Sequence, residues 1–484
     1  MEHFLKFQNK SIFFLILFLA VLWRVNNISS PIMGAQSWRQ ADTAAMSRNY
    51  YENGFNFLYP QIDWGGNSEG YVESEFPFYQ FIVALFYRLF GIHEIIGRIL
   101  SVIFSIVTIL VLFKTVSKYI DEKTALWTCF IYSILPINVF YSRVFMPEPL
   151  LLMSISLGLY SFSEWLDKQK PIFYFISVFF ICLACLIKIP TLYIGLPLAY
   201  LAWKKYGKNV FKNIPIICYS AAVFISVFLW YYHAHQIYQK SNLSFEIWGY
   251  GSDKWGNWDF ICTWEYWNGV FFKNIAEKHL TWTGFIIFIL GLILFRKNIK
   301  IKLFYLWLLA GFIYLIIVAK GNYYHDYYQL PIILPISVFI GKVFSDYLRI
   351  NLSNWQSKFL GIAFVITMVL SIFRYVDYIK REDPQKAEKY KLALIAKKIV
   401  PENSLVIAVS NYDPMLLYNS HKKGWQCSPG DIYIGFIKDK IKKKADYLLM
   451  NQKDFTDKFL LNNIVSTYKT EVYNDGECLI IKLD

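Results

Sequence analysis

The sequence predicts a mostly α-helical protein that crosses a membrane many times and ends in a small α/β domain. Of its 484 residues, 56% are hydrophobic and only 17% are charged, and the hydrophobic residues are gathered in long runs. A soluble globular protein carries about 25% charged residues and does not need such runs. After about Lys380 the charge rises and the apolar runs shorten, which indicates a change to a water-exposed domain.

Eleven apolar runs have the composition of membrane-spanning helices. They lie at 11–28, 96–119, 124–141, 149–166, 171–188, 190–203, 214–232, 281–296, 303–319, 328–345 and 357–375. A twelfth run, 76–90, is short and rich in aromatic residues. We therefore predict that it forms a helix on the membrane surface.

The basic residues support this count, because cytoplasmic loops carry an excess of lysine and arginine. With 76–90 on the surface, the basic loops all fall on the side of the N-terminus; they contain Lys168, Lys170, Lys204, Lys205, Lys208, Lys212, Arg296, Lys297, Lys300 and Lys302. This predicts a multi-pass membrane protein with its N-terminus inside and its functional segments and C-terminal domain outside. The net charge of +14 comes without a nucleic-acid-binding signature, so the predicted partners are membrane lipids rather than nucleic acid.

The C-terminal region alternates between helical and strand patterns. We predict helices at 383–400 and 431–444 and strands at 404–409, 445–450 and 478–483. No glycine-rich phosphate-binding loop accompanies them. The sequence therefore predicts two domains, a transmembrane catalytic domain at 1–378 and an outward-facing α/β accessory domain at 379–484.

The seven cysteines are scattered along the chain. Cys182 and Cys185 form a CxxC motif inside an apolar run, where small buried hydrophobic residues are expected rather than metal ligands. Whether Cys427 and Cys478 pair in an exported domain is left open by the sequence.

The segment 36–46 follows the first span and places Trp38, Arg39 and Asp42 at a membrane surface. One interpretation is the start of an interfacial helix, with Asp42 near the positive end of the helix dipole and Trp38 in the aromatic belt. The other interpretation is a functional site, because polar groups held against a membrane are energetically costly and commonly serve a function.

Three glutamates lie just before the surface helix. Glu75 and Asp42 together bring to this outer loop the carboxylates that acid–base chemistry on hydroxyl groups requires. For Glu69 and Glu73 we favour a solvated acidic loop.

Two further outer segments carry charge at the ends of spans. Arg143 and Glu148 lie in a turn that contains two prolines, and a helix-capping pair is the alternative to a functional role. Lys188 lies at the mouth of the fifth span, where a lysine side chain that snorkels to the interface is the alternative.

The outer segment 320–331 gathers Lys320, Tyr324, His325 and Tyr327. Such a density of donors suits a phosphate and a sugar, whereas an aromatic belt with a polar turn explains the same residues structurally. The loop 233–280 adds five tryptophans, at 248, 255, 258, 264 and 267. This composition indicates an ordered lid, and an aromatic belt explains the tryptophans about as well.

The order of these motifs resembles that of the GT-C glycosyltransferases, in particular family 39 and the lipid A aminoarabinose transferase group. The resemblance covers about residues 10–345. It rests on an early Asp42, on Glu75-Phe76-Pro77 opening a surface helix, on Leu89-Phe90-Gly91 with Arg98 before the second span, on the Arg143/Glu148 turn, and on His325-Asp326-Tyr327-Tyr328-Gln329-Leu330-Pro331.

The resemblance implies a protein of the cell inner (cytoplasmic) membrane, with its active site and C-terminal domain in the periplasm or extracellular space. It implies a polyprenyl-phosphate-sugar donor, used on the outer face of that membrane without a nucleotide sugar, a cofactor or a metal. It implies that Asp42 is the base that deprotonates an acceptor hydroxyl and that the anomeric centre is inverted. Glu148 occupies the place of an acid found in this turn of many relatives. The candidates for binding the departing phosphate are Arg143, Lys188, Lys320 and His325, and those for binding substrate are Arg39, Glu75, Tyr324 and Tyr327.

The sequence also departs from the aminoarabinose transferase pattern. Phe76 stands where those relatives often carry a phosphate-binding lysine, and Ala45 stands where an arginine commonly follows the catalytic aspartate. The sugar and the acceptor, whether glycolipid, polysaccharide or protein, therefore stay open. Two other functions also stay open: a transporter or flippase of a lipid-linked glycan, and an oligosaccharide polymerase or ligase.

Overall fold

The computed structural model describes residues 2–245, 254–348 and 355–483. By packing, the chain falls into two compact units. One, which we call the helical unit, consists of Met1–Ile28, Ile99–Tyr232 and Glu246–Asp377; the other, the sheet unit, consists of Ser29–Arg98, His233–Phe245 and Tyr378–Asp484. The segments 29–98 and 233–245 thus pack with the C-terminal region, although they lie inside the predicted domain 1–378. The predicted two-domain division stays a prediction.

The chain is mostly α-helical. In chain order the α-helices of the described residues are α1 Glu2–Val25, α2 Ser37–Glu52, α3 Phe78–Phe90, α4 Glu94–Tyr119, α5 Glu122–Ile134, α6 Pro136–Tyr141, α7 Glu148–Lys168, α8 Pro171–Ile187, α9 Gly195–Tyr206, α10 Ile214–Ser241, α11 Trp258–Ile261, α12 Trp264–Trp267, α13 Thr281–Leu294, α14 Lys302–Ile317, α15 Ala319–Tyr324, α16 Leu330–Tyr347, α17 Trp355–Lys380, α18 Glu388–Ile399, α19 Met415–Ser420, α20 Ile434–Lys442 and α21 Lys458–Thr467.

Each of the eleven runs predicted to span the membrane contains a helix. Five helical segments of the described residues are long and apolar enough to cross: Glu94–Tyr119, Ile214–Ser241, Ile299–Ile317, Asp326–Tyr347 and Trp355–Lys380. A sixth is added if Trp264–His279 and Thr281–Leu294, which meet at 110°, form one broken span. The other predicted spans are shorter or interrupted; Pro136, for example, separates α5 from α6. The chain is a multi-pass membrane protein, and the count of eleven stays a prediction.

Helix α3 has the shape predicted for a surface helix. Its 13 residues extend over about 20 Å, less than the roughly 30 Å hydrocarbon core of a bilayer. Tyr79, Val83 and Tyr87 are fully buried on one side, whereas Leu89 and Phe90 are 72% and 63% exposed. The apolar exposed face suits contact with lipid.

Five strands form one mixed sheet in the sheet unit: β1 Leu405–Val409, β2 Lys423–Cys427, β3 Ala445–Asn451, β4 Glu471–Asn474 and β5 Cys478–Lys482. The strand order is β2-β1-β3-β5-β4. Strand β1 pairs in parallel with β2 and β3, and β5 pairs antiparallel with β3 and β4. The α/β character is confirmed, and the three predicted strands are β1, β3 and β5. The sequence analysis missed β2 and β4, which are short and largely polar.

Alternate residues of the strands pack on opposite faces of this sheet. Cys427 lies in the core on the face covered by α20 and α21, and Cys478 lies in the core on the face covered by α18 and α19. Their strands are separated by two others, so at about 4.8 Å per strand they lie beyond the roughly 7 Å limit between the Cα atoms of a disulfide. All seven cysteines are free thiols.

Most of the predicted loop 233–280 is helical where it is described. Helices α11 and α12 lead into a π-helical stretch, Asn268–His279. Trp258 and Trp264 are 74% and 69% exposed, while Trp267 packs on Phe271 and Phe312. Trp248 lies outside the described residues.

Candidate active site

Asp42 is a buried carboxylate in the middle of a polar helix. It is the sixth residue of α2, beyond the first turn, and the residues from Arg39 to Tyr50 are all buried. Asp42 itself is 3% exposed. The alternative that it marks the start of an interfacial helix is therefore wrong. Helix α2 is polar and buried, which is a costly combination unless the polar groups are paired or used.

The surroundings of Asp42 set its acidity. The pKa of Asp42 is raised to about 8, chiefly by burial and to a smaller extent by the neighbouring carboxylates of Asp63 and Asp413, against the hydrogen bond from Trp64 and the charge of Arg39, which lower it. Trp64 Nε1 donates to Asp42 Oδ1 over 3.0 Å. A carboxylate with a pKa near the working pH is suited to accept a proton from a hydroxyl group.

Two predicted substrate-binding residues of the sheet unit form an ion pair. The Arg39 guanidinium donates to the Glu75 carboxylate, and it also lies 5.9 Å from the centre of the Phe245 ring. Arg39 is 8% exposed. Arg39 can bind an anion, and Glu75 can bind a hydroxyl group. The pair lies near Asp42, which follows Arg39 by three residues on α2.

A second ion pair of the sheet unit holds Trp64 in place. Arg48 Nη2 lies 2.5 Å from Asp63 Oδ2, and Asn49 Nδ2 donates to Asp63 Oδ1 over 3.2 Å. Arg48 Nη1 also donates to the carbonyl of Tyr418 over 3.0 Å. Because Asp63 directly precedes Trp64, this network fixes the indole that contacts Asp42. We did not predict this network from the sequence. The signal that could have indicated it is the Asp63-Trp64-Gly65-Gly66 segment, in which a carboxylate and a tryptophan precede two glycines.

The position of Glu73 contradicts our prediction that it belongs to a solvated acidic loop. We expected a solvated side chain, but it is 1% exposed. Its carboxylate accepts a hydrogen bond from the Ser244 hydroxyl and lies 3.3 Å from His235 Nδ1. Its backbone also bonds with Leu243 and Phe245. Glu69 is exposed, as expected.

In the helical unit, Glu148 and Lys188 form a buried ion pair. The distance from Lys188 Nζ to Glu148 Oε1 is 3.0 Å, and the side chains are 8% and 2% exposed. The ammonium group also lies 4.6 Å and 4.1 Å from the ring centres of Tyr327 and Tyr328. Lys188 therefore does not snorkel to the interface. Glu148 is the first residue of α7, which agrees with the helix-capping alternative. It also forms the ion pair with Lys188, which capping alone does not explain.

Arg143 is the third predicted charge of this region. It is fully buried, donates from Nη1 to the carbonyl of Asn27 over 3.3 Å, and lies 5.3 Å from the Phe140 ring centre. Residues 144–147 separate it from the start of α7 at Glu148.

The predicted outer turn 320–331 contains the end of α15 and a short 3-10 helix, Asp326–Gln329, on either side of His325. Lys320 and Tyr324 lie on α15, and Tyr324 is 65% exposed. The His325 ring packs on the rings of Tyr327 and Tyr328, with centres 5.5 Å and 5.3 Å apart. The structure therefore brings His325 and Tyr327 together with Lys188 and Glu148.

Asp326 holds this segment in place, a role that sequence analysis missed. Tyr141 Oη donates to Asp326 Oδ1 over 2.6 Å, and Lys278 Nζ lies 3.7 Å from Oδ2. Its carbonyl lies 2.7 Å from His279 Nε2. Among the described residues, no group of three or more histidine, cysteine or acidic side chains is arranged to hold a metal ion.

Comparison with solved structures gives the class of this fold. The chain shares the fold of the solved structures that it matches, which is the fold that the sequence resemblance to GT-C glycosyltransferases predicted. It is similar to ArnT from Cupriavidus metallidurans in the apo state, with 12% identity, 97% of each chain covered and a TM-score of 0.68.

Two further structures and one family support this assignment. The ArnT structure bound to undecaprenyl phosphate matches with a TM-score of 0.64 at 12% identity over 97% of each chain. The oligosaccharyltransferase of Archaeoglobus fulgidus in the apo form matches with a TM-score of 0.59 at 12% identity, over 93% of this chain and 70% of that one. Residues 74–232 match the family described as dolichyl-phosphate-mannose-protein mannosyltransferase. No curated protein sequence matches the chain.

Proposed function

We propose that this protein is an inverting glycosyltransferase that moves a sugar from a polyprenyl-phosphate donor to an acceptor hydroxyl on the outer face of the cytoplasmic membrane. The observation that carries the proposal is Asp42, a buried carboxylate with a raised pKa that is held by Trp64 beside the Arg39–Glu75 pair. The lipid phosphate bound by ArnT in its complex supports the donor class. The acceptor is a glycolipid, a polysaccharide or a protein.

The reaction is a single displacement. Asp42 takes the proton of the acceptor hydroxyl while the hydroxyl oxygen forms a bond to the anomeric carbon. The bond from that carbon to the phosphate oxygen breaks, and its electron pair leaves with the polyprenyl phosphate. Because attack and departure occur on opposite faces, the anomeric configuration inverts.

The leaving phosphate needs positive charge or hydrogen-bond donors. Arg143, Lys188, Lys320 and His325 fill this role in the proposal. Lys188 is neutralised by Glu148, so a phosphate competes with Glu148 for the ammonium group when it binds.

Glu148 has a second role in the proposal. Its Oε2 atom is buried and makes no hydrogen bond within the described residues. A buried carboxylate oxygen without a partner is costly, and a sugar hydroxyl can donate to it. We assign Glu148 to this contact, Arg39 and Glu75 to the substrate near Asp42, and Tyr324 and Tyr327 to the sugar face.

The activity is tested with a short, radiolabelled polyprenyl-phosphate sugar and membranes of a strain that lacks this gene. The full-length protein is expected to transfer the label and to release an equal amount of polyprenyl phosphate, whereas a nucleotide sugar gives no product. Binding of the lipid donor without transfer would contradict the proposal and favour a transporter.

The pH dependence follows from the raised pKa of Asp42. Only the ionised form accepts a proton, so kcat/KM should rise about tenfold per pH unit below pH 8 and level off above it. Replacing Trp64 by phenylalanine removes a hydrogen bond that lowers this pKa, so the midpoint should move to higher pH. A flat profile between pH 6 and 9 would show that Asp42 does not act as the base.

A further inference from the structure

The helical unit contains a basic crevice that the proposed reaction does not use. It has a volume of about 470 Å³ and lies where α4, α7 and α9 end and α14 begins. Four lysines line it, Lys118, Lys204, Lys205 and Lys300, together with a single acidic residue, Asp167. They come from four separate stretches of the chain and converge on one space.

This crevice lies far from the Glu148–Lys188 pair. Helix α7 begins at Glu148 and carries Asp167 near its other end. At 1.5 Å per residue the two acids are separated by about 30 Å, the thickness of the hydrocarbon core. The crevice and the ion pair therefore lie near opposite faces of the membrane, and the crevice is on the side that carries the lysine-rich loops.

Three of its lysines have no counter-charge among the residues that the structure describes. Lys118 is compensated, because its ammonium group lies 2.8 Å from Glu164 and 2.6 Å from Asp167. Within the described residues Lys204, Lys205 and Lys300 make no ion pair. Three like charges that converge on one crevice repel each other, and an anion bound between them relieves the repulsion.

The remaining wall of the crevice combines polar and apolar side chains, with Tyr119, Ser163 and Tyr200 beside the leucines. Leu166, Leu201 and Leu303 contribute to it, and Ile299, beside Lys300, is 80% exposed. The three leucines are already buried, so Ile299 is the side chain that a small soluble anion would leave uncovered. A phospholipid covers Ile299 with its glycerol and acyl chains while its phosphate lies among the lysines.

We propose that this crevice binds the phosphate headgroup of an anionic phospholipid in the membrane leaflet opposite to the reaction. The site is independent of the proposed transferase activity. It is distinct from the general attraction of basic loops to anionic lipid, because it depends on the lysines of the crevice and not on the number of lysines in the loops.

Native mass spectrometry of the full-length protein in detergent tests the site, with phosphatidylglycerol and phosphatidylcholine as probes. The test variant is Lys204→Gln/Lys205→Gln/Lys300→Gln. The control variant, Lys208→Gln/Lys212→Gln/Lys297→Gln, removes the same charge from the same loops but from outside the crevice.

The wild type and the control variant are expected to bind phosphatidylglycerol at least about tenfold more tightly than phosphatidylcholine, and the test variant to lose this preference. Arginine at the three crevice positions should preserve it, which excludes misfolding as the cause of a loss. Equal losses in both glutamine variants would overturn the site in favour of general surface attraction. Displacement of the lipid by glycerol 3-phosphate at equal concentration would overturn the lipid in favour of a soluble anion.

Discussion

Replacing Asp42 by asparagine is expected to lower kcat/KM for sugar transfer by at least about 100-fold, the scale of a lost general base. Asparagine keeps the shape of the side chain and can still accept the hydrogen bond from Trp64, but it cannot take a proton from the acceptor. The measurement is the initial rate of transfer from the short polyprenyl-phosphate sugar at several pH values.

A matched control is Glu69→Gln, which removes a carboxylate from the exposed part of the same segment and should leave the rate unchanged. Stability provides a second control. Above pH 8 the wild type must keep a buried carboxylate ionised, whereas the Asp42→Asn variant does not, so the Tm of the variant should not be lower there. Equal rates for wild type and Asp42→Asn would make Asp42 a structural residue.

Breaking the Glu148–Lys188 pair should have the largest effect on stability. Lys188→Met leaves a buried carboxylate, and Glu148→Gln leaves a buried ammonium group, so each should lower the free energy of unfolding by about 3–5 kcal/mol. The double variant buries neither charge and should recover most of this loss. The measurement is denaturant-induced unfolding of the purified protein in detergent.

Activity separates a structural pair from a functional one. If Lys188 binds the leaving phosphate, the double variant should be stable but at least about 100-fold slower, because a donor to the developing charge is gone. A double variant that is both stable and fully active would remove Lys188 and Glu148 from the mechanism. Single variants with unchanged stability would contradict the buried pair itself.

The sequence predicted the fold class well because its signals are local. Long apolar runs, their basic flanking loops and the alternating pattern of β1, β3 and β5 are each readable within a short window. Strand β2, with the sequence Lys-Gly-Trp-Gln-Cys, carries no such pattern. It is a strand because its backbone pairs with β1, which no local signal reveals.

The candidate site was only partly predictable for the same reason. Asp42, Glu148 and Lys188 could be named from their positions at the ends of spans, but the pairing of Glu148 with Lys188 joins residues 40 positions apart. The burial of Glu73 depends on His235 and Ser244, more than 160 positions away. Polar residues in a predicted outer loop look solvated until the segment that covers them is known.

The most direct test of a single displacement assisted by Asp42 is the configuration of the anomeric carbon in the product. NMR spectra of the transferred sugar and of the polyprenyl-phosphate donor give this configuration directly. The comparison does not depend on any measured rate. We predict inversion, so a β-linked donor gives an α-linked product. Retention would contradict a single displacement in which the acceptor hydroxyl, deprotonated by Asp42, attacks from the face opposite the leaving phosphate.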